Sequence, residues 1–457
     1  MSNSMDQPWT RRTRYLMLVL VALLGVCWLL FAVTLTHGKD TKYFVWMTSL
    51  PKTVYAHRQR FKVSQIRTTR DQRKIMDSLA VSTQQQSIKQ AVFIPTQRRG
   101  GIMDQRKADV IKLCSKNTAY KRPHRDHMLY NKNKQFIFCK ATKAGSTFWG
   151  RLLLQVDRHV IANPYKIKPQ IGPINVIPTI TEWLKFNEIL QSSTKFIIAR
   201  DPLERLYSAY VDKVFSPNPY YWDVIGTYIV KTFRKTSKRT CGHDVTFPEF
   251  LQYAVHAETS GKHRDVHVAS LWETCSPCHV KYDIIGKMET FKDDTDDILD
   301  KLKLEPYKAV LRNISIDAVN DALYDTAQAY VDMRTPSLEC ISEQHTVERI
   351  WTKLKSRGFI AADVPVPTEL YNKNETAVLE IFKYAYSKSV LKLGREGLKR
   401  QQKAIFFETL RKLPDQMLTQ VAKAYHKDFE MFGYDQKFKY IFQDSTNSDF
   451  SVSDSFF

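Results

Sequence analysis

The stretch Gln135-Phe-Ile-Phe-Cys-Lys-Ala-Thr-Lys143-Ala-Gly-Ser-Thr147-Phe-Trp-Gly-Arg151-Leu-Leu-Leu154 decides the fold. Apolar Phe136–Cys139 predicts a short buried strand, Ala141–Thr147 a turn of small and polar residues, and the spacing from Thr147 to about Val156 a helix. A strand, a small-residue loop holding a lysine, and a helix N-terminus together make an anion cradle. Backbone N–H groups at the helix start attract negative charge, and the lysine adds a full positive one.

A second stretch repeats the pattern: Lys195-Phe-Ile-Ile-Ala-Arg200-Asp-Pro-Leu-Glu-Arg205-Leu-Tyr-Ser208-Ala-Tyr-Val-Asp-Lys213. Lys195–Ala199 is β-branched and aromatic, Asp201 is a good helix cap, and Pro202 suits the first helical position. Arg200 then stands at the strand's end, and Ser208 two turns into the helix. Two anion sites after neighbouring strands suit a ligand with two separated phosphate-like groups.

The pair resembles the 5′-phosphosulfate loop and 3′-phosphate motif of sulfotransferases that use 3′-phosphoadenylyl sulfate (PAPS). Within these it is most similar to the Golgi carbohydrate sulfotransferases that include the chondroitin and dermatan 4-O-sulfotransferases. Asp265-Val-His267, Cys275-Ser-Pro-Cys278, Tyr282-Asp-Ile-Ile-Gly286-Lys-Met-Glu289 and Asp428-Phe-Glu-Met-Phe-Gly433-Tyr434 follow in the same order. The similarity runs from about Cys114 to Tyr434.

The resemblance implies that Lys143 contacts the 5′-phosphosulfate and stabilises the leaving oxygen, with Ala144, Gly145, Ser146 and Thr147 completing the loop. It implies that Arg200 and Ser208 bind the 3′-phosphate, a role for which arginine's planar fork is well shaped. The chain departs from the family where Thr142 replaces the usual proline before the lysine. The familiar second lysine is also absent, leaving Arg151 as its possible replacement. Sulfuryl transfer to a hydroxyl needs a group to take the proton. His267 is the candidate, with Glu289 as a second; a structural histidine is the competing reading. Arg205 reads equally as a cofactor contact or a structural ion pair.

Bulk properties set the context. The formal net charge of +22 in 457 residues favours a polyanionic partner, whether nucleic acid, anionic membrane or acidic polysaccharide. The resemblance selects an acidic glycan or glycoprotein acceptor and no nucleic acid. Tyr15–Leu35 contains no charge and, at about 1.5 Å per residue, spans roughly one hydrocarbon core. Arg11, Arg12 and Arg14 precede it, so the positive-inside rule keeps residues 1–14 cytosolic and everything after Leu35 lumenal. The expectation is a single-pass type II Golgi membrane protein: anchor at 15–35, stem at 36–110, sulfotransferase domain at 111–443 and tail at 444–457. A cleaved signal peptide is the alternative for the apolar run.

In an oxidising lumen Cys114, Cys139, Cys241, Cys275, Cys278 and Cys340 suggest up to three disulfides of unspecified pairing. A zinc site on Cys241, His243, Cys275 and Cys278 is the competing reading. Cys275-Ser-Pro-Cys278-His279 matches a haem-attachment pattern by coincidence. The sequons at Asn313 and Asn374 would be open to glycosylation on the lumenal side.

Strands alternating with helices predict an α/β fold, a parallel sheet flanked by helices whose ligands sit at the carboxyl ends of the strands. The expected elements include a helix over Ile180–Gln191, a strand over Tyr282–Gly286, a helix over Asp293–Leu304, and a mostly helical region from Val364 to Phe432. No metal is expected. Two other functions compete: a glycosyltransferase holding a metal on Asp294-Thr-Asp296, and an inactive glycan-binding relative. A P-loop kinase lacks its Gly-x4-Gly-Lys-[Ser/Thr] signature.

Overall fold

Four short strands form one sheet in the order β1 (Met128–Asn131), β2 (Phe136–Cys139), β3 (Thr194–Ala199), β4 (Ile284–Lys287). This is a computed structural model, and it describes residues 100–116, 122–167, 179–180, 183–234 and 241–438. The expected anchor, nearly all of the stem and the tail lie outside the described residues. Among the described residues no helix is long and apolar enough to cross a membrane.

Strands β2, β3 and β4 are parallel, with Phe138 beside Phe196 and Ile198 beside Gly286. The expectation of a purely parallel sheet needs one correction. β1 adds antiparallel to β2, paired Met128 to Cys139, because a loop of only a few residues joins the two and cannot make a crossover. β4 also starts later than Tyr282. That tyrosine instead lies buried below the strand, its hydroxyl donating to the Cys275 carbonyl at 2.8 Å.

Among the described residues, the helices of seven residues or more are α1 (Gly100–Lys116), α2 (Ser146–Asp157), α3 (Phe186–Ser192), α4 (Pro202–Tyr210), α5 (Phe247–Ser260), α6 (Phe291–Lys301), α7 (Ile314–Ser337), α8 (Glu343–Ser356), α9 (Glu375–Arg411) and α10 (Asp415–Ala424). The expected helix over 180–191 shortens to α3. The C-terminal region is helical as read, and α9 is interrupted at Gly394, where φ is +67° and ψ +167°.

The sheet is buried on both faces, so its strands read as continuous apolar runs rather than alternating ones. Against one face Phe138, Trp149 and Phe196 pack ring on ring, with Phe138 and Phe196 centroids 4.8 Å apart. Each such buried ring stabilises the fold by about 2 kcal/mol. Gly286 is required in β4 by close packing: a Cβ there would stand 2.6 Å from Ile198 Cδ1.

α1 begins inside the span whose composition reads as stem. Met103 and Val110 are buried, and Arg106 Nη1 donates to the Ile285 carbonyl at 3.2 Å and to Asp294 Oδ2 at 2.6 Å. Polar composition hid this helix because its few apolar side chains are scattered, with Met103 and Val110 buried but Ile102 and Ile111 exposed.

Three disulfides form: Cys114–Cys278, Cys139–Cys275 and Cys241–Cys340. The zinc alternative is thereby corrected, since Cys241, Cys275 and Cys278 are all paired with other cysteines. Each bridge closes a long loop, which in the chain-entropy account stabilises the fold by about 5 kcal/mol.

Candidate active site

The carboxyl ends of the three parallel strands lie side by side, and a polar loop leaves each one. After β2 the chain turns through Lys143 and Gly145, both left-handed with φ of +62° and +72°. Gly145 is the N-cap of α2, and no side chain caps that helix. Ser146 and Thr147 therefore do not spend their hydroxyls as helix caps; Ser146 is half-buried and Thr147 exposed. The first-turn N–H groups of α2 have no partner within the helix, which suits an anion. Ala144 is fully buried and anchors the turn.

After β3, Arg200 donates from Nη1 to the Lys143 carbonyl oxygen at 3.1 Å and pairs through Nε with Glu204 at 3.3 Å. Asp201 caps α4 by accepting from the Glu204 N–H at 3.0 Å. Burial, with the Glu204 and Glu289 carboxylates adding to it, pushes the Asp201 carboxyl up to about 7. Positions 200, 204 and 208 recur every four residues, so Ser208 lies on the helix face that carries the Arg200–Glu204 pair. It is nearly buried.

α4 then passes into a π-helical turn over Val211–Phe215, a distortion often found at functional sites. Asp212 in this turn takes a hydrogen bond from Lys143 Nζ. Lys143 thus spans the α4 face, its backbone held by Arg200 and its ammonium by Asp212. Burial pushes that ammonium down to about 8, against the attraction of Asp212. Lys353 Nζ at 3.4 Å and Arg357 Nη1 at 3.2 Å also meet Asp212. Burial works to raise the Asp212 carboxyl, but Arg357, Lys143 and Lys353 together hold it well below the usual range.

His267 reaches the same place from the loop between α5 and the short helix Leu271–Cys275. Thr142, next to Lys143, donates its hydroxyl to the Val266 carbonyl at 2.6 Å, joining the two loops. His267 Nδ1 lies 2.7 Å from Asp265 Oδ1, and its backbone N–H donates to the same oxygen at 2.8 Å. Burial lowers the imidazole's pKa; Asp265 opposes the shift, while Lys213 and Lys143 add to it. A neutral ring with Nδ1 engaged leaves Nε2 as the basic nitrogen. Arg205, fully buried, donates to the carbonyls of His267 at 3.3 Å and Ala269 at 2.7 Å. It is a brace of the histidine loop rather than an ion pair within α4. The Cys139–Cys275 disulfide ties the end of β2 to the far side of that loop.

The remaining sequence candidates fall elsewhere. Arg151 is buried on α2 and pairs with Asp321 of α7 at 2.8 Å, so it does not replace a second phosphate-binding lysine. Glu289 accepts from the Asp201 N–H at 3.3 Å and the Tyr434 hydroxyl at 3.1 Å, a tie between strand ends. Asp428 accepts from the N–H groups of Leu271 and Trp272, both at 2.7 Å, which fixes the short helix beyond His267. Asp294 accepts from Arg106, the Lys287 N–H and Thr290, leaving little of the Asp294-Thr-Asp296 triplet for a metal. Among the described residues no group of three or more His, Cys, Asp or Glu is arranged to hold one.

Asp212, Lys353, Arg357 and Asp265 were missed by reading motifs alone. The signal was present for two of them: Arg349, Lys353 and Arg357 recur every four residues, one cationic face of α8 and its C-cap. Nothing in the sequence said which surface that face would meet.

Residues 126–315 match the model of the sulfotransferase family, a segment containing both loops and His267. Carbohydrate sulfotransferase 11 of Rattus norvegicus is 29% identical over 210 residues, covering 42% of this chain and 60% of that protein. Carbohydrate sulfotransferase 14 of Mus musculus is 31% identical over 185 residues, 40% of this chain and 48% of its own length. Carbohydrate sulfotransferase 8 of Homo sapiens is 30% identical over 190 residues, 39% and 43%. The chain thus spans about half of the curated relatives' length. No solved structure matches. Residues 126–315 thus match the sulfotransferase family, and carbohydrate sulfotransferases are among the proteins to which the chain is similar.

Proposed function

We propose that this protein transfers a sulfuryl group from PAPS to a hydroxyl of a glycan. One observation carries the reading: Lys143 and Arg200, on loops from neighbouring parallel strands, are joined by a hydrogen bond of 3.1 Å. A single nucleotide with anionic groups at both ends can therefore engage both. The residues fit such a donor. The start of α2, the Lys143 ammonium and the Ser146 and Thr147 hydroxyls suit its phosphosulfate end, and Arg200 with Ser208 suits its 3′-phosphate.

In the reaction an acceptor oxygen forms a bond to sulfur while the bond from sulfur to the phosphate oxygen breaks. The electron pair of the broken bond stays on that oxygen, beside Lys143. The acceptor's proton passes to His267 Nε2, whose ring Asp265 orients from the Nδ1 side. Catalysis is then positioning plus neutralisation of charge, by analogy with phosphoryl transfer.

The acceptor class we favour is an N-acetylgalactosamine of a chondroitin- or dermatan-type glycosaminoglycan. Support comes from the net charge of +22, which suits a polyanion, and from the family resemblance of the motifs. The uncharged run Tyr15–Leu35 with arginines before it supports a type II anchor and a lumenal, Golgi setting. The disulfides are consistent with an oxidising compartment.

Incubating a Lys39–Phe457 fragment with labelled PAPS and a panel of desulfated glycans tests the reading. Label should reach a galactosamine-containing glycan, and transfer should survive EDTA. Label on no glycan, from a folded protein that also fails to retain adenosine 3′,5′-bisphosphate, would instead favour the glycan-binding alternative.

A further inference from the structure

The π-helical turn after α4 meets a part of the chain that lies beyond the family-matched segment, and the charges there do not balance. Asp212 is one carboxylate held by three cations: Lys143, Lys353 and Arg357. Lys353 is almost fully buried, with 7% of its side chain exposed, whereas Arg357 keeps 33%. Arg349, one turn before Lys353, pins α8 against the same turn by donating to the carbonyls of Phe215 at 3.1 Å and His243 at 2.8 Å. The cationic face is therefore docked in place rather than waving in solvent.

With Asp212 and Lys143 alone, the lysine would be consumed by an ion pair. Three cations around one carboxylate, Lys143 on Oδ2 and Lys353 and Arg357 on Oδ1, leave a surplus of two positive charges around Asp212. Two is also the charge of a phosphosulfate, one negative charge on the phosphate and one on the sulfuryl group. The two oxygens of one carboxylate are only ~2 Å apart, so groups bound to them lie within one anion's reach of each other. An arginine has five N–H donors, more than Asp212 can accept.

We propose that Arg357 is a further donor-binding residue, contacting the phosphosulfate beside Lys143, and that Lys353 is a positioning residue whose buried charge offsets Asp212. This rests on the reading of the site as a sulfotransferase centre. The bonds made and broken are those already written. Arg357 shares the negative charge that develops on the phosphate oxygen as the sulfur leaves it. The catalytic site is then completed by α8 and its C-cap, outside residues 126–315.

The experiment uses the full chain in detergent. Binding of adenosine 3′,5′-bisphosphate is measured by calorimetry for wild type, Arg357→Gln, Arg357→Lys and Lys353→Met, alongside thermal melts and transfer kinetics. Arg357→Gln should weaken nucleotide binding about tenfold or more and lower kcat further, with a melting temperature near wild type. Arg357→Lys should recover part of both. Lys353→Met should weaken binding while leaving the acceptor KM unchanged. Nucleotide affinity within twofold of wild type for folded Arg357→Gln overturns the proposal, as does a change confined to the acceptor KM. If Arg357→Gln proves too unstable to assay, the decision falls to Arg357→Lys, where wild-type affinity and kcat would overturn it. Failure of wild type itself to bind the nucleotide would instead sink the sulfotransferase reading.

Discussion

Arg200 Nη1 donates a 3.1 Å hydrogen bond to the backbone carbonyl of Lys143. Fifty-seven residues separate the two in sequence. The contact means that the arginine, proposed above to bind the 3′-phosphate, also braces the left-handed turn that presents the lysine.

Replacing Arg200 with Ala should therefore cost more than one phosphate contact. Charge-assisted hydrogen bonds of this kind are each worth about 2 kcal/mol. We expect affinity for adenosine 3′,5′-bisphosphate to fall by about a hundredfold, with little change in melting temperature because the side chain is partly exposed. Calorimetry and a thermal melt on one preparation check both.

Nucleotide binding should depend on pH through Lys143. Its ammonium titrates at about 8 in the folded protein, so the charged form that attracts an anion is lost as pH rises through that value. Affinity should be flat below about pH 7 and decline above 8, approaching a tenfold loss per unit. A titration series from pH 6 to 10 gives the profile, and Lys143→Arg should flatten it.

His267 predicts the opposite limb. Burial lowers its pKa, so the neutral, proton-accepting ring persists to more acid pH than an ordinary histidine would allow. The acid limb of kcat/KM should lie below the usual histidine value of about 6.5. His267→Ala should lower kcat by about 10²–10⁴-fold, the usual worth of general acid–base catalysis. Asp265→Asn should lower kcat without weakening nucleotide binding, since that aspartate touches the ring and not the donor.

Gly145→Ala should disrupt the loop directly. The position has φ of +72°, and a Cβ there would stand 2.8 Å from Phe291 Cε2. Left-handed strain plus that overlap should destabilise the protein by about 2 kcal/mol and abolish transfer. Denaturant unfolding and the transfer assay together measure it.

Much of this site was legible from local chemistry. Lys143 and Arg200 stand out as candidates because the residues around them are unusual at short range: an apolar strand, small residues or Asp-Pro, then a helix. The cysteines, too, were legible as disulfides, though their pairing needed the fold. Arg205 shows the limit of local reading. A buried arginine bracing the carbonyls of His267 and Ala269 looks, in sequence, like any i,i+4 ion-pair candidate. Asp212 and Arg357 are 145 residues apart, and only tertiary packing brings them together. The antiparallel β1 escaped notice because Met-Leu-Tyr-Asn is short and carries no alternation.

The central claim is that Lys143 and Arg200 grip opposite ends of one nucleotide. Calorimetric titration with adenosine 5′-monophosphate, adenosine 3′-monophosphate and adenosine 3′,5′-bisphosphate tests it, across wild type, Lys143→Ala and Arg200→Ala. The account predicts that wild type prefers the bisphosphate, that Lys143→Ala loses mainly the contribution of the 5′-phosphate, and that Arg200→Ala loses mainly that of the 3′-phosphate. Equal losses for all three nucleotides in both folded variants, or no loss in either, would contradict it.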